Sequence, residues 1–113
     1  GSMKNTTISL TEKELIIKSM FYGRVIPLEN ILLDEIKRID MEENREYDIS
    51  YRINGTSISN YKSGWMRLKN KQKALTFITD KKNVVLIPTK DYLILFSMDN
   101  IDEFVEKINC TKK

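Results

Sequence analysis

The sequence predicts a mainly β domain that ends in a single α-helix, and three observations carry that reading. Short runs with apolar alternation recur from Thr6 to Ser97, divided by turn-forming residues. After Asp99, Ile101, Phe104, Val105 and Ile108 repeat at i, i+3, i+4 and i+7, one apolar stripe on one helix. Between Ile53 and Leu68 lie two of the four glycines and the only tryptophan, Trp65, the side chain with most apolar area to bury.

In chain order, Thr6–Leu10 alternates as a first strand and Thr11–Glu14 is a polar turn. Leu15–Met20 is a second strand. Tyr22-Gly23-Arg24 turns, with Gly23 the expected site of positive φ. Val25–Leu28 is a third strand, at an edge or ending there because Pro27 lacks a ladder donor. Residues 29–41 fit a helix through Leu32, Ile36 and Ile39, or a strand through Lys37, Ile39 and Met41. The reading adopted is a tight turn at Glu29-Asn30 and a fourth strand ending near Met41. Glu42–Glu46 is a charged loop.

Asp48–Asn54 alternates Ile49, Tyr51 and Ile53 against Asp48, Ser50 and Arg52, the pattern of a half-buried strand. That strand is expected to end at Ile53 and be followed by an Asn54-Gly55 turn. A polar loop should then run to Gly64, with a strand starting at Trp65. Lys69–Lys73 is a basic hairpin tip, Ala74–Thr79 a strand and Asp80–Asn83 a turn. Val84–Ile87 is a continuous apolar run, hence buried on both faces. Pro88–Asp91 turns and Tyr92–Ser97 is the last strand. Asp99 is the expected N-cap of a helix over Asn100–Asn109, with Asp102 in the first turn and Lys107 near the end favoured by the helix dipole.

A length of 113 residues fits one domain, placed at residues 4–113. Gly1-Ser2 before Met3 reads as a remnant of tag removal, so residues 1–3 are set aside. A net charge of +3 predicts no nucleic-acid partner. One cysteine, Cys110, allows no intrachain disulfide. The absence of histidine removes the commonest metal ligand and neutral-pH base. No apolar run reaches the ~20 residues of a membrane span. No Gly-rich phosphate loop, nucleophile–base pair or carboxylate cleft stands out, so neither an enzyme nor a cofactor nor a metal site is expected.

The order of elements resembles a bacterial pleckstrin-homology (PH) domain from about Ile8 to Ile108. The residues that carry the resemblance are Asn54-Gly55-Thr56, Gly64-Trp65-Met66-Arg67-Leu68-Lys69-Asn70, Lys73-Ala74-Leu75, Ile87-Pro88-Thr89-Lys90 and Asp99–Phe104. A looser match covers Leu15-Ile16-Ile17 and Gly23–Leu28. The resemblance implies a PH-like, partly open barrel of two near-orthogonal antiparallel sheets, about seven strands, capped by the C-terminal helix. It implies no catalytic residue. In lipid-binding eukaryotic members a basic cluster follows the first strand; here that loop is Thr11-Glu12-Lys13-Glu14, which does not match.

Charge is segregated along the chain. Residues 29–48 hold eight acids and three bases, and residues 62–91 hold eight bases and two acids. The candidate binding residues are Lys62, Trp65, Arg67, Lys69, Lys71, Lys73, Lys81 and Lys82. Lysines at hairpin ends also guard sheet edges and keep a chain soluble, and Trp65 also fits a packing role. The two basic turns follow each other along one strand and so are expected at opposite ends of the sheet unless curvature brings them together. The expected function is a non-catalytic binding module for a protein partner or self-association, with acidic and basic regions meeting between copies as one mode. The alternative is a peripheral binder of an anionic membrane surface through the basic turns. The expected location is the cytoplasm, with any membrane association supplied by segments outside this sequence.

Overall fold

A computed structural model describes residues 6–58 and 61–112. β1 (Thr7–Leu10), β2 (Glu14–Lys18) and β3 (Arg24–Pro27) form an antiparallel three-stranded sheet in sequence order. A six-stranded sheet is built from β4 (Lys37–Ile39), β5 (Ile49–Ile58), β6 (Tyr61–Leu68), β7 (Lys73–Ile78), β8 (Val84–Pro88) and β9 (Leu93–Ser97). Its order is β4-β8-β9-β7-β6-β5. Helix α1 (Ile101–Thr111) follows. The mainly β class, the two sheets, the open barrel and the C-terminal helix are as expected. The strands number nine, and one pair departs from the antiparallel rule: β9 inserts between β8 and β7 and runs parallel to β7.

Strict alternation in the three central strands makes two cores. Leu75, Phe77, Val85, Ile87, Ile94 and Phe96 point one way, toward Leu15, Ile17 and Ile26 of the small sheet and Ile101, Phe104 and Ile108 of α1. Ala74, Ile78, Val84, Leu86, Leu93 and Leu95 point the other way, where Ile39 and Met41 cover them. Tyr47 and Ile49 pack at the margin of that second core. The charged loop keeps Glu42, Glu43 and Glu46 exposed as expected, and it also lies as a lid on the outer face of the large sheet, with Met41 fully buried beside it.

Several local readings are corrected. The tight turn expected at Glu29-Asn30 is present as a 3-10 turn over Leu28–Asn30 and the fourth strand, β4, ends at Ile39, but a second 3-10 turn at Leu33–Glu35 intervenes before it. The lid closes with a third such turn at Arg45–Tyr47. Gly23 has no positive φ; Lys71, in the basic turn, does, at 73°. The polar loop of 54–64 is instead a continuation of both strands, with Gly55 opposite Gly64. Of that expected loop, residues 59–60 lie outside the described ones. The half-buried alternation of 48–54 fails because irregularities at Ile49/Tyr51 and Arg52/Asn54 each insert a residue and shift the pleat. Tyr51 and Ile53 are exposed, and Asp48 is buried. The N-cap is Asn100, not Asp99, and its side chain makes no capping bond. Because α1 runs on to Thr111, Lys107 is not in its last turn.

Candidate functional site

The β5–β6–β7 layer carries the charged and aromatic surface, and its two faces differ. Cross-strand partners share a face. Arg67 pairs with Lys73 and Trp65 with Leu75, so Trp65, Arg67 and Lys73 lie on the side of the first core. Trp65 meets Tyr92 edge-on, with ring centroids 4.9 Å apart. The Arg24 guanidinium lies 5.4 Å from the Trp65 centroid and 5.6 Å from that of Tyr92, and the Lys73 ammonium lies 4.5 Å from Trp65. Cations over aromatic rings are attracted by the ring quadrupole. Here the contact joins β3 of the small sheet to β6 and β7 of the large one. Burial holds the Tyr92 hydroxyl above its ordinary pKa, because ionisation would leave a phenolate partly desolvated.

On the other face, Lys62 pairs with Ile78 of the second core. There Arg45, Arg52, Lys62, Lys69 and Lys81 line a groove of about 440 Å³ whose single carboxylate is Asp48. The lid brings the two basic turns to this groove. The Lys69 N–H donates to the Asp48 carbonyl at 2.8 Å, and the Met41 N–H donates to the Lys81 carbonyl at 2.8 Å. The turns do lie at the two ends of β7, yet one strap of chain takes both.

The eight sequence candidates are therefore divided. Lys62, Lys69 and Lys81 line the outer groove. Trp65 and Lys73 stack on the inner side, and Arg67 donates to the Lys71 carbonyl at 3.0 Å, closing the turn. Lys82 pairs with Glu42 of the lid at 4.0 Å. The Lys73 ammonium is drawn to the Trp65 ring, and Lys71 turns in a left-handed conformation. Sequence reasoning missed Arg45 and Arg52. The first stands in the acidic stretch and the second in a strand read only for its apolar positions. Acidic and basic regions meet within one chain, through Lys82–Glu42 and the lid's backbone bonds, rather than needing a second copy to do so.

Exposed apolar side chains gather along β5, where Tyr51 also lines the groove, and at one hairpin tip. Tyr51, Ile53 and Ile58 of edge strand β5 are exposed, as are Met20 and Phe21 at the β2–β3 tip, each 79% exposed. That tip leans on β5 and β6, with the Tyr22 hydroxyl 3.5 Å from the Asn54 side-chain oxygen. Among the described residues no group of three acidic, cysteine or histidine side chains could hold a metal. No described helix is long and apolar enough to cross a membrane. Cys110 is a free, exposed thiol.

Two sheets plugged by a C-terminal helix, with surface grooves and edges but no assembled reaction centre among the described residues, define a protein of the pleckstrin-homology class. Such domains are in general non-catalytic binding modules. The family model described as "Bacterial PH domain" matches residues 6–111, and the chain belongs to that family. No curated protein and no solved structure matches it.

Proposed function

We propose that this domain is a non-catalytic protein-interaction module that associates with a second copy of itself through the edge of β5. The observation that carries this is the character of that edge. β5 is ten residues long and ends the six-stranded sheet, so its far side has no strand beside it among the described residues. Proteins usually blunt such edges with charge, proline or short length. Residues 53–58, Ile-Asn-Gly-Thr-Ser-Ile, carry no charge and no proline. Two such edges meet without like-charge repulsion, and main-chain hydrogen bonds across them supply the affinity. Ile53 and Ile58 present apolar area on the same strand, and Met20 and Phe21 extend it from the neighbouring hairpin tip.

The test is light scattering across a concentration series. The parent should rise from the monomer mass toward twice that mass. The variant with Ile53→Lys and Ile58→Lys should stay monomeric with an unchanged melt, since both side chains are exposed. A parent that stays monomeric at every concentration sinks the reading.

A further inference from the structure

We propose that the cleft between β1 and α1 is a docking site for an extended, uncharged peptide segment of a partner protein, which adds a strand to the edge of β1. β1 is the outer strand of the small sheet, and among the described residues no strand lies on its far side. Consecutive residues 6–10 all line a cleft of about 520 Å³, so the wall is the edge of the strand and not one of its faces. The opposite wall is α1, through Glu103, Phe104 and Lys107. Hydrogen-bond direction decides what that edge presents. The Thr11 N–H donates to the Glu14 carbonyl at 2.9 Å, which closes the β1–β2 hairpin. N–H direction alternates along a strand, so Thr7 and Ser9 turn their main-chain groups to β2, where they pair with Lys18 and Ile16. Ile8 and Leu10 turn theirs the other way, into the cleft. Their N–H donors and carbonyl acceptors stand there in the spacing of a β-ladder.

The chemistry of the cleft selects the occupant. Main-chain donors and acceptors repeated at every second residue match an extended main chain. The floor is apolar: Phe96 and Phe104 belong to the first core, and Met98 packs against it. Cross-strand partners share a face, so an added strand drops every second side chain beside Ile8 and Leu10, onto that floor. The intervening side chains face outward with the exposed Thr7 and Ser9. The charged residues that line the cleft are Glu103 and Lys107, one of each sign, so a segment without net charge complements it. Two other sheet edges suit a peptide less. β3 carries Arg24 and ends in Pro27, which has no N–H to give, and β4 is three residues long with Lys37 and Arg38 on it. β1 has neither charge nor proline, and its four residues offer about 13 Å of edge at ~3.3 Å per residue. With α1 as its other wall the cleft takes a single strand; the broad sheet of a second copy would collide with the helix.

The probe is an equimolar library of capped hexapeptides with Val, Leu, Ile or Phe at alternate positions and Thr or Ser between, titrated into the parent protein and followed by NMR. The Ile8 and Leu10 amides should exchange quickly in the free protein and slow at least about tenfold with peptide bound, while Ser9, already bonded to β2, stays slow in both. Methyl groups on one alternate set of the peptide amides should abolish binding, and on the other set leave it, because one set alone faces β1. Ile8→Pro should weaken binding at least about tenfold with the hairpin intact, since Ile8 is partly buried and proline is tolerated where the N–H points away from the ladder. The methylated peptides carry the test even if that variant fails to fold. Equal effects of the two methylated sets overturn the proposal, as do shifts centred on β5. No slowing at Ile8 and Leu10 with the library in large excess overturns it as well. Protection of those amides that rises with protein concentration, without peptide, would give the edge to a second copy and overturn it too. The Ile53→Lys, Ile58→Lys variant should bind the library as the parent does, so the outcome stands apart from self-association through β5.

Discussion

Gly55 and Gly64 face each other across β5 and β6 so closely that a Cβ on Gly64 would stand 2.8 Å from the Gly55 Cα and 2.5 Å from the Asn54 carbonyl oxygen. Both have positive φ, 154° and 109°. Side chains are excluded twice over, by backbone angle and by space. The Tyr22 ring closes the third side, 3.1 Å from the same Cβ position. This is where the small sheet's hairpin rests on the large sheet. Gly64→Val should cost about 1–3 kcal/mol from backbone strain alone, before any clash is counted. Ser63→Ala should cost far less. Thermal melts of the two variants decide it, and equal small shifts would refute the packing described.

Phe104→Ala tests whether α1 is integral to the first core. The ring is 9% exposed and packs with residues of both sheets. The expected loss is about 3–5 kcal/mol, read from the urea midpoint. A loss below ~1 kcal/mol would mean that the helix rests on the surface without completing the core.

Lys71 has the one positive φ among described non-glycine residues. For a side chain with a Cβ, that conformation costs about 1–2 kcal/mol. Lys71→Gly should therefore stabilise the domain by up to about 1 kcal/mol, the relief being reduced by glycine's greater freedom when unfolded. Lys71→Ala should bring no such gain, and a melt comparison of the pair separates conformation from charge.

Asp80 organises the turn between β7 and β8. Its carboxylate accepts from the Asn83 side-chain amide at 2.7 Å and from the Lys82 N–H at 2.9 Å. Those bonds, the Asn83 one foremost, hold its pKa below the ordinary 3.8. A depressed carboxyl contributes stability above its unfolded pKa and loses that contribution as pH falls through the folded value. Asp80→Asn should be slightly less stable than the parent at neutral pH, and the gap should close as the pH drops below 3.8. The effect is small because the group is solvent-screened. Denaturation midpoints across the acid range measure it, and a gap that widens toward acid would contradict the assignment.

The parts legible in the sequence were those with local, periodic signals. Val84–Ile87 read as buried on both faces because no polar residue interrupts it, and Ile101, Phe104 and Ile108 marked the buried side of α1. What failed was non-local. The two glycines looked like turn punctuation because composition cannot distinguish a sharp bend from two strands pressed together. Met41 lies among acids, so nothing nearby announces that it covers a second core. The groove escaped for the same reason. Lys69 and Lys81 were visible as charges, but Arg45 and Arg52 join them only once the lid has folded over the sheet.

The placement of β9 beside both β7 and β8 has a consequence for how the chain is made. The strand synthesised last, residues 93–97, is the keystone of the six-stranded sheet. Until it emerges from the ribosome, β8 with β4 and β7 with β6 and β5 are two separate fragments, each with an open edge. Ser97 then completes the join, its hydroxyl accepting from the Thr79 and Asp80 N–H groups and donating to the Asp80 carbonyl. The six-stranded sheet therefore cannot close until β9 is available to join β7 to β8. Without β9 the large sheet is two pieces with open edges, the kind of edge on which aggregation starts.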